Sequence, residues 1–111
     1  MHEMSIAASI LDIAEEQAQA AEARVINTVE IEVGSLAGIE VDSLRFCWSA
    51  ARHGLAAEAE LVIREIEGRG FCLKCEREHP VDFHVALCPD CESGMEIRQG
   101  RELRILALNV D

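Results

Sequence analysis

Apolar positions along the chain recur in two periods, and the alternation of those periods lays out the elements. In residues 5–22, Ile6, Ile10, Ile13, Ala14 and Ala21 fall at helical spacing, while Asp12, Glu15, Glu16 and Gln19 fall mostly elsewhere. That predicts an amphipathic helix with Ser5 as its N-cap. Residues 25–33 switch to alternation, with Val25, Val29, Ile31 and Val33 on one side and Thr28, Glu30 and Glu32 on the other, a half-buried strand. Gly34-Ser35-Leu36-Ala37-Gly38 ends it. The helical period then returns over 43–53, where Leu44, Cys47, Trp48 and Ala51 form a stripe, Asp42 or Ser43 is the cap and Gly54 the stop. Residues 60–66 read as a second strand, and 67–70 as a flexible exit. A third strand follows Gly100, with Leu103, Ile105, Leu106, Leu108 and Val110; its apolar phase slips between Ile105 and Leu106, which predicts a bulge or burial on both faces.

Helix, strand, helix, strand, an excursion and a returning strand is an α+β plan: a three-stranded sheet with two helices on one face. Residues 70–98 are an inserted four-cysteine, zinc-ribbon-like module, and residues 1–69 with 99–111 form the α+β domain that hosts it. The chain is 111 residues long, the size of one domain with a small satellite. Its formal charge of −11 speaks against nucleic acid and against an anionic membrane surface, both of which need clustered Lys and Arg. No targeting or membrane-length segment is evident, so the expected location is the cytosol, where paired cysteines stay reduced and serve as metal ligands.

Cys72-Leu73-Lys74-Cys75 and Cys88-Pro89-Asp90-Cys91 are two C-x-x-C pairs separated by the twelve residues 76–87. Each pair can form a tight turn with both sulfurs on one side, and two such turns facing each other make the closed four-thiolate cage of structural zinc. Iron fits the same geometry and would colour the protein. A module this small has too little core of its own, so the ion would supply its folding free energy. His79 and His84 lie between the pairs as secondary candidates, since imidazole is also a zinc ligand. Cys47 reads as a core residue.

The opening Met1-His2-Glu3 is a second candidate metal site. A free α-amine, a backbone amide nitrogen and the His2 imidazole can close two chelate rings on one ion, and in-plane nitrogen donors suit Ni(II) or Cu(II). The bulk of His2 predicts that Met1 is retained. Taken alone, an exposed histidine on a frayed terminus is the simpler account. No nucleophile–base pair, paired catalytic carboxylates or phosphate-binding glycine loop points to an enzyme.

Met1-His2-Glu3-Met4-Ser5-Ile6, Gly34-Ser35-Leu36-Ala37-Gly38, both C-x-x-C pairs and Gly100-x-Glu102-Leu103-x-Ile105 together resemble the HypA/HybF family over nearly the whole chain. These are nickel metallochaperones of [NiFe]-hydrogenase maturation. The resemblance implies Ni(II) as transient cargo on Met1 and His2, with Glu3 supplying backbone nitrogen or tuning from behind. It implies structural Zn(II) on Cys72, Cys75, Cys88 and Cys91. The implied partners are a nickel-handling GTPase and the hydrogenase large-subunit precursor; a homodimer and a role in urease maturation stay open. The tail Asn109-Val110-Asp111 departs from the family, where an acidic residue commonly precedes the Val. The competing reading is a zinc-ribbon nucleic-acid-binding or transcription-associated module, which explains the cysteines equally well but not the charge.

Overall fold

Ala7, Ile10, Leu11, Ala14 and Ala18 fall on one helical face, and all five are buried. They belong to α1, His2–Ala20, in a computed structural model that describes residues 2–82 and 87–111, and of His2 the backbone alone. The buried stripe differs from the expected one. Ile13 is two positions past Leu11, well round the helix from the buried face, and is 48% exposed. Ser5 is not a cap, because the helix is already formed at His2; Glu3 sits in its first turn, where a carboxylate complements the positive end of the dipole. The helix closes with Ala23 N donating to Ala18 O at 2.9 Å and Glu22 at φ 57°, a Schellman-type end without glycine.

The remaining main elements are β1 (Ile26–Gly34), α2 (Val41–Ala51), β2 (Glu60–Ile66), β3 (Arg69–Cys72), β4 (Arg77–Pro80), β5 (Glu96–Gln99) and β6 (Leu103–Val110). The architecture is α+β, two helices with a three-stranded sheet, in the order β2-β1-β6. The inserted module carries a second sheet, in the order β4-β3-β5. The cap of α2 is Glu40, ahead of both expected positions, Asp42 and Ser43: its Oε1 accepts from Asp42 N at 3.2 Å. A 3-10 turn, Gly54–Ala56, follows the helix, with Gly54 at φ 60°.

By chain contacts the molecule divides into two compact units, one of residues 1–31, 39–64 and 104–111, the other of 32–38 and 65–103. In the first, α1 and α2 pack their apolar stripes; Leu44 and Trp48 are buried, and the Trp48 indole donates to Ala59 O at 2.9 Å. A buried indole N–H left unpaired would be costly, so this bond fixes the chain after α2. Ile26, Val29 and Ile31 of β1 and Leu61 of β2 complete the core. Val25, expected inside, is 36% exposed. Arg24 N and Val25 N both donate to Asp111 O, at 2.6 and 3.2 Å, so two residues face one. That is a bulge signature just before β1. β6 is an edge strand, and it is not buried on both faces: Leu103 is 44% and Leu106 41% exposed.

In the second unit β3 is central and antiparallel to both neighbours. Arg69 and Gly70, expected in a flexible exit, are its first two residues, with Gly70 opposite His79 on β4. Three glycines crowd nearby. A Cβ on Gly100, at φ 119°, would lie 2.6 Å from Gly68 Cα, and one on Gly34 would overlap the Gly100 carbonyl. Leu36 N donates to Gly100 O at 2.6 Å, and Ser35 Oγ accepts from Gly68 N at 2.9 Å.

Candidate metal centre

Each cysteine pair is bent by the same device. Glu76 N donates to Cys72 O at 2.7 Å, and Glu92 N donates to Cys88 O at 2.8 Å. Glu76 at φ 57° and Glu92 at φ 59° are both in the left-handed region, immediately after the second cysteine of their pair. That conformation strains a residue bearing a Cβ. The strain is accepted twice, once at the close of each turn. Cys75 N donates to Cys72 Sγ at 3.3 Å, and Cys88 N donates to Ser93 O at 2.8 Å.

The turns bring all four sulfurs together, each within 4.8 Å of the others. Cys72 Sγ lies 3.5 Å from Cys91 Sγ, and Cys88 Sγ lies 3.9 Å from Cys75 Sγ. Sulfurs at about 2.3 Å from a tetrahedral zinc stand at comparable separations, so the four-thiolate set fits zinc without rearrangement. Cys72 and Cys88 are buried, while Cys75 and Cys91 are partly exposed.

The thiols share charge unequally. Hydrogen bonds from the Ser93 side chain and amide lower Cys91 to about 6. Its bond to Cys91, and then burial, push Cys75 up to about 12. Four sulfurs this close cannot all ionise alone, and a divalent cation resolves that conflict.

His79, expected as a secondary candidate, does touch the cage: its Nε2 lies 3.7 Å from Cys88 Sγ and 3.7 Å from Asp90 Oδ2. His84 lies outside the described residues, as do Met1 and the side chain of His2. Of the N-terminal candidates, Glu3 is described. Its Oε2 accepts from Glu40 N at 3.2 Å, tying the start of α1 to the cap of α2. The Glu40 amide, and then its own, hold the Glu3 carboxyl below its ordinary value. The sequence did not point to Glu40, Glu76, Glu92 or Ser93. Local pattern offers no signal for a left-handed glutamate; for Ser93, a hydroxyl two residues past the last cysteine was the available clue.

Comparison with known proteins agrees with this geometry. Residues 1–110 match the model of a family described as HypA, hydrogenase/urease nickel incorporation, metallochaperone. The chain is 48% identical to the hydrogenase maturation factor HypA of Chlorobium phaeobacteroides (strain BS1), over all of both chains. It is 43% identical to the factor of that name from Azotobacter vinelandii, again over all of both. A solution structure of a HypA protein aligns with a TM-score of 0.71 at 25% identity, over 99% of this chain and 96% of that one. The solution structure of the Ni metallochaperone HypA from Helicobacter pylori aligns with a TM-score of 0.68 over 97% and 96%; at 22% identity it speaks to the fold alone.

Proposed function

Because this chain belongs to the HypA family of hydrogenase maturation metallochaperones, we propose that it carries Ni(II) on its N-terminus to a [NiFe]-hydrogenase large-subunit precursor. The reading assigns residues 1–69 with 99–111 to nickel and residues 70–98 to zinc. Nickel is cargo, held by the Met1 amine, the His2 imidazole and backbone nitrogen at His2 or Glu3. One observation supports this most directly: α1 begins at His2. The first four amides of a helix have no intrahelical acceptor, so nickel can displace an amide proton there without breaking the helical ladder. The bond from Glu40 N to Glu3 anchors the same turn.

The two metal sites then differ in the way a carrier needs. Zinc, when bound, supplies folding free energy to a module with little core. The cysteines enclose it with four ligands and leave no open position. The N-terminal site offers nitrogen donors at a chain end, where an acceptor protein can replace them one at a time. The proposed partners are a nickel-handling GTPase and the hydrogenase precursor, met in the cytosol. Among the described residues no helix is long and apolar enough to cross a membrane.

A transfer assay tests the reading. Nickel-loaded protein is mixed with metal-free large-subunit precursor, the GTPase and GTP, and nickel in the re-isolated precursor is counted. Insertion faster than from a small-molecule nickel buffer at the same free-ion level is expected. Equal rates would remove the delivery role.

A further inference from the structure

His79 sits on β4, directly opposite Gly70 of β3. Its side chain is only 16% exposed. Its Nε2 approaches Cys88 Sγ at 3.7 Å, and that sulfur is itself buried. Asp90 Oδ2 faces the same nitrogen at 3.7 Å, and Arg77 Nη1 lies 3.5 Å from that oxygen. The imidazole groups with Cys88 and Asp90, not with the full set of sulfurs, so it lies beside one vertex of the cage rather than within it.

Four thiolates around one divalent cation carry two excess negative charges, and each sulfur remains a nucleophile. Donors to those sulfurs spread the charge and steady the ligands. Cys72 receives the Cys75 amide, Cys91 receives Ser93, and Cys88 has an imidazole against it. We propose that His79 donates its Nε2–H to the Cys88 thiolate of the metal-loaded cage, lowering the reactivity of that sulfur and slowing loss of the metal. Asp90 shares the same N–H and, held by Arg77, keeps the ring turned toward the cage. His79 is thus a positioning residue, not a ligand. The inference rests on the four-thiolate reading of the centre.

The test compares the full-length parent with His79→Ala and His79→Gln, the latter retaining a side-chain N–H. Three quantities are read: the ligand-field spectrum after loading with Co(II), the rate of zinc transfer to a chromogenic chelator, and site-mapped iodoacetamide labelling of Cys88. The expected result is one four-thiolate cobalt spectrum for all three proteins. Zinc loss and Cys88 labelling should be on the order of tenfold faster in His79→Ala, as for loss of one hydrogen bond to a charged group, with His79→Gln nearer the parent. Should His79→Ala not fold, His79→Phe fills the space without a donor and makes the same comparison. Unchanged rates in the variant that lacks the donor would overturn the inference. So would a cobalt spectrum that shifts on losing the imidazole, because His79 would then be a ligand. A parent without four-thiolate bands would instead remove the reading of the centre on which the inference stands.

Discussion

Gly34 and Gly100 meet backbone to backbone, so close that a Cβ on Gly34 has no space beside the Gly100 carbonyl. Gly34 N donates to Glu102 O at 2.7 Å, and Leu36 N donates to Gly100 O at 2.6 Å, so the approach is fixed from both sides. The two glycine motifs at 34–38 and 100–105 are therefore halves of one crossing.

Gly34→Ala should destabilise the protein by more than ~3 kcal/mol, as overpacking against backbone that cannot rotate away does. Gly94→Ala, where an added Cβ meets nothing within 4 Å, is the matched control and should change stability by less than about 0.5 kcal/mol. Urea unfolding of the two variants checks this. Similar midpoints would mean the crossing can relax.

The fold class and the four cysteines were legible because they are written in local periods and spacings. Two helices, the three strands and both C-x-x-C turns needed no knowledge of distant residues. What the sequence hid depends on partners far along the chain. Ile13 looks as apolar as Leu11, and only packing against the rest of the core decides which is inside. β6 could not be recognised as an edge, since sheet order is not a local property. Arg69 and Gly70 read as part of a flexible exit because a glycine-rich tetrad resembles a loop, yet they begin β3, where a Cβ on Gly70 would lie 3.0 Å from a Val81 methyl and 3.2 Å from Met95 Cβ. The left-handed Glu76 and Glu92 were invisible for a different reason: a left-handed φ is ordinarily announced by glycine, and here the turn imposes it on glutamate.

His2→Ala should abolish stoichiometric nickel binding while leaving zinc content and helicity unchanged. Residues added before Met1 should do similar damage by converting the α-amine to an amide. Both donors compete with protons near neutrality, since unperturbed imidazole titrates near about 6.5 and the α-amine near about 7.7–8.0. The parent should therefore bind nickel more weakly at pH 6 than at pH 7.5. Isothermal titration at the two pH values, with zinc measured alongside, decides the matter; equal affinities would place nickel on other groups.

Replacing Cys72 or Cys88 with Ala should release zinc and unfold the second sheet. Both sulfurs are buried, and each lost ligand also leaves a gap against packed neighbours. The helices α1 and α2 should survive, because Ala7, Leu11, Leu44 and Trp48 bury without reference to the cage. Amide exchange would show protection lost over β3, β4 and β5 and kept over residues 7–18. A variant that keeps one zinc per chain and its melting temperature would count against the four-thiolate cage.

Without metal, the cage should titrate in a definite order. Cys91, lowered from 9.0 to about 6, is mostly thiolate at pH 7, whereas Cys75, raised from 9.0 to about 12, keeps its proton. The signs for folding are opposite. The contribution of Cys91 is full above about pH 9 and is lost as pH falls through 6; that of Cys75 is full below about pH 9 and is lost as pH rises toward 12. Zinc needs every sulfur ionised, so binding must expel the Cys75 proton, and affinity must fall further once Cys91 also gains one below about pH 6. Brief iodoacetamide labelling of metal-free protein at pH 7, under conditions where amide exchange still shows the second sheet protected, should find Cys91 modified before Cys75 when mapped by mass spectrometry. Faster labelling at Cys75 would reverse the order of deprotonation and with it the role given to Ser93.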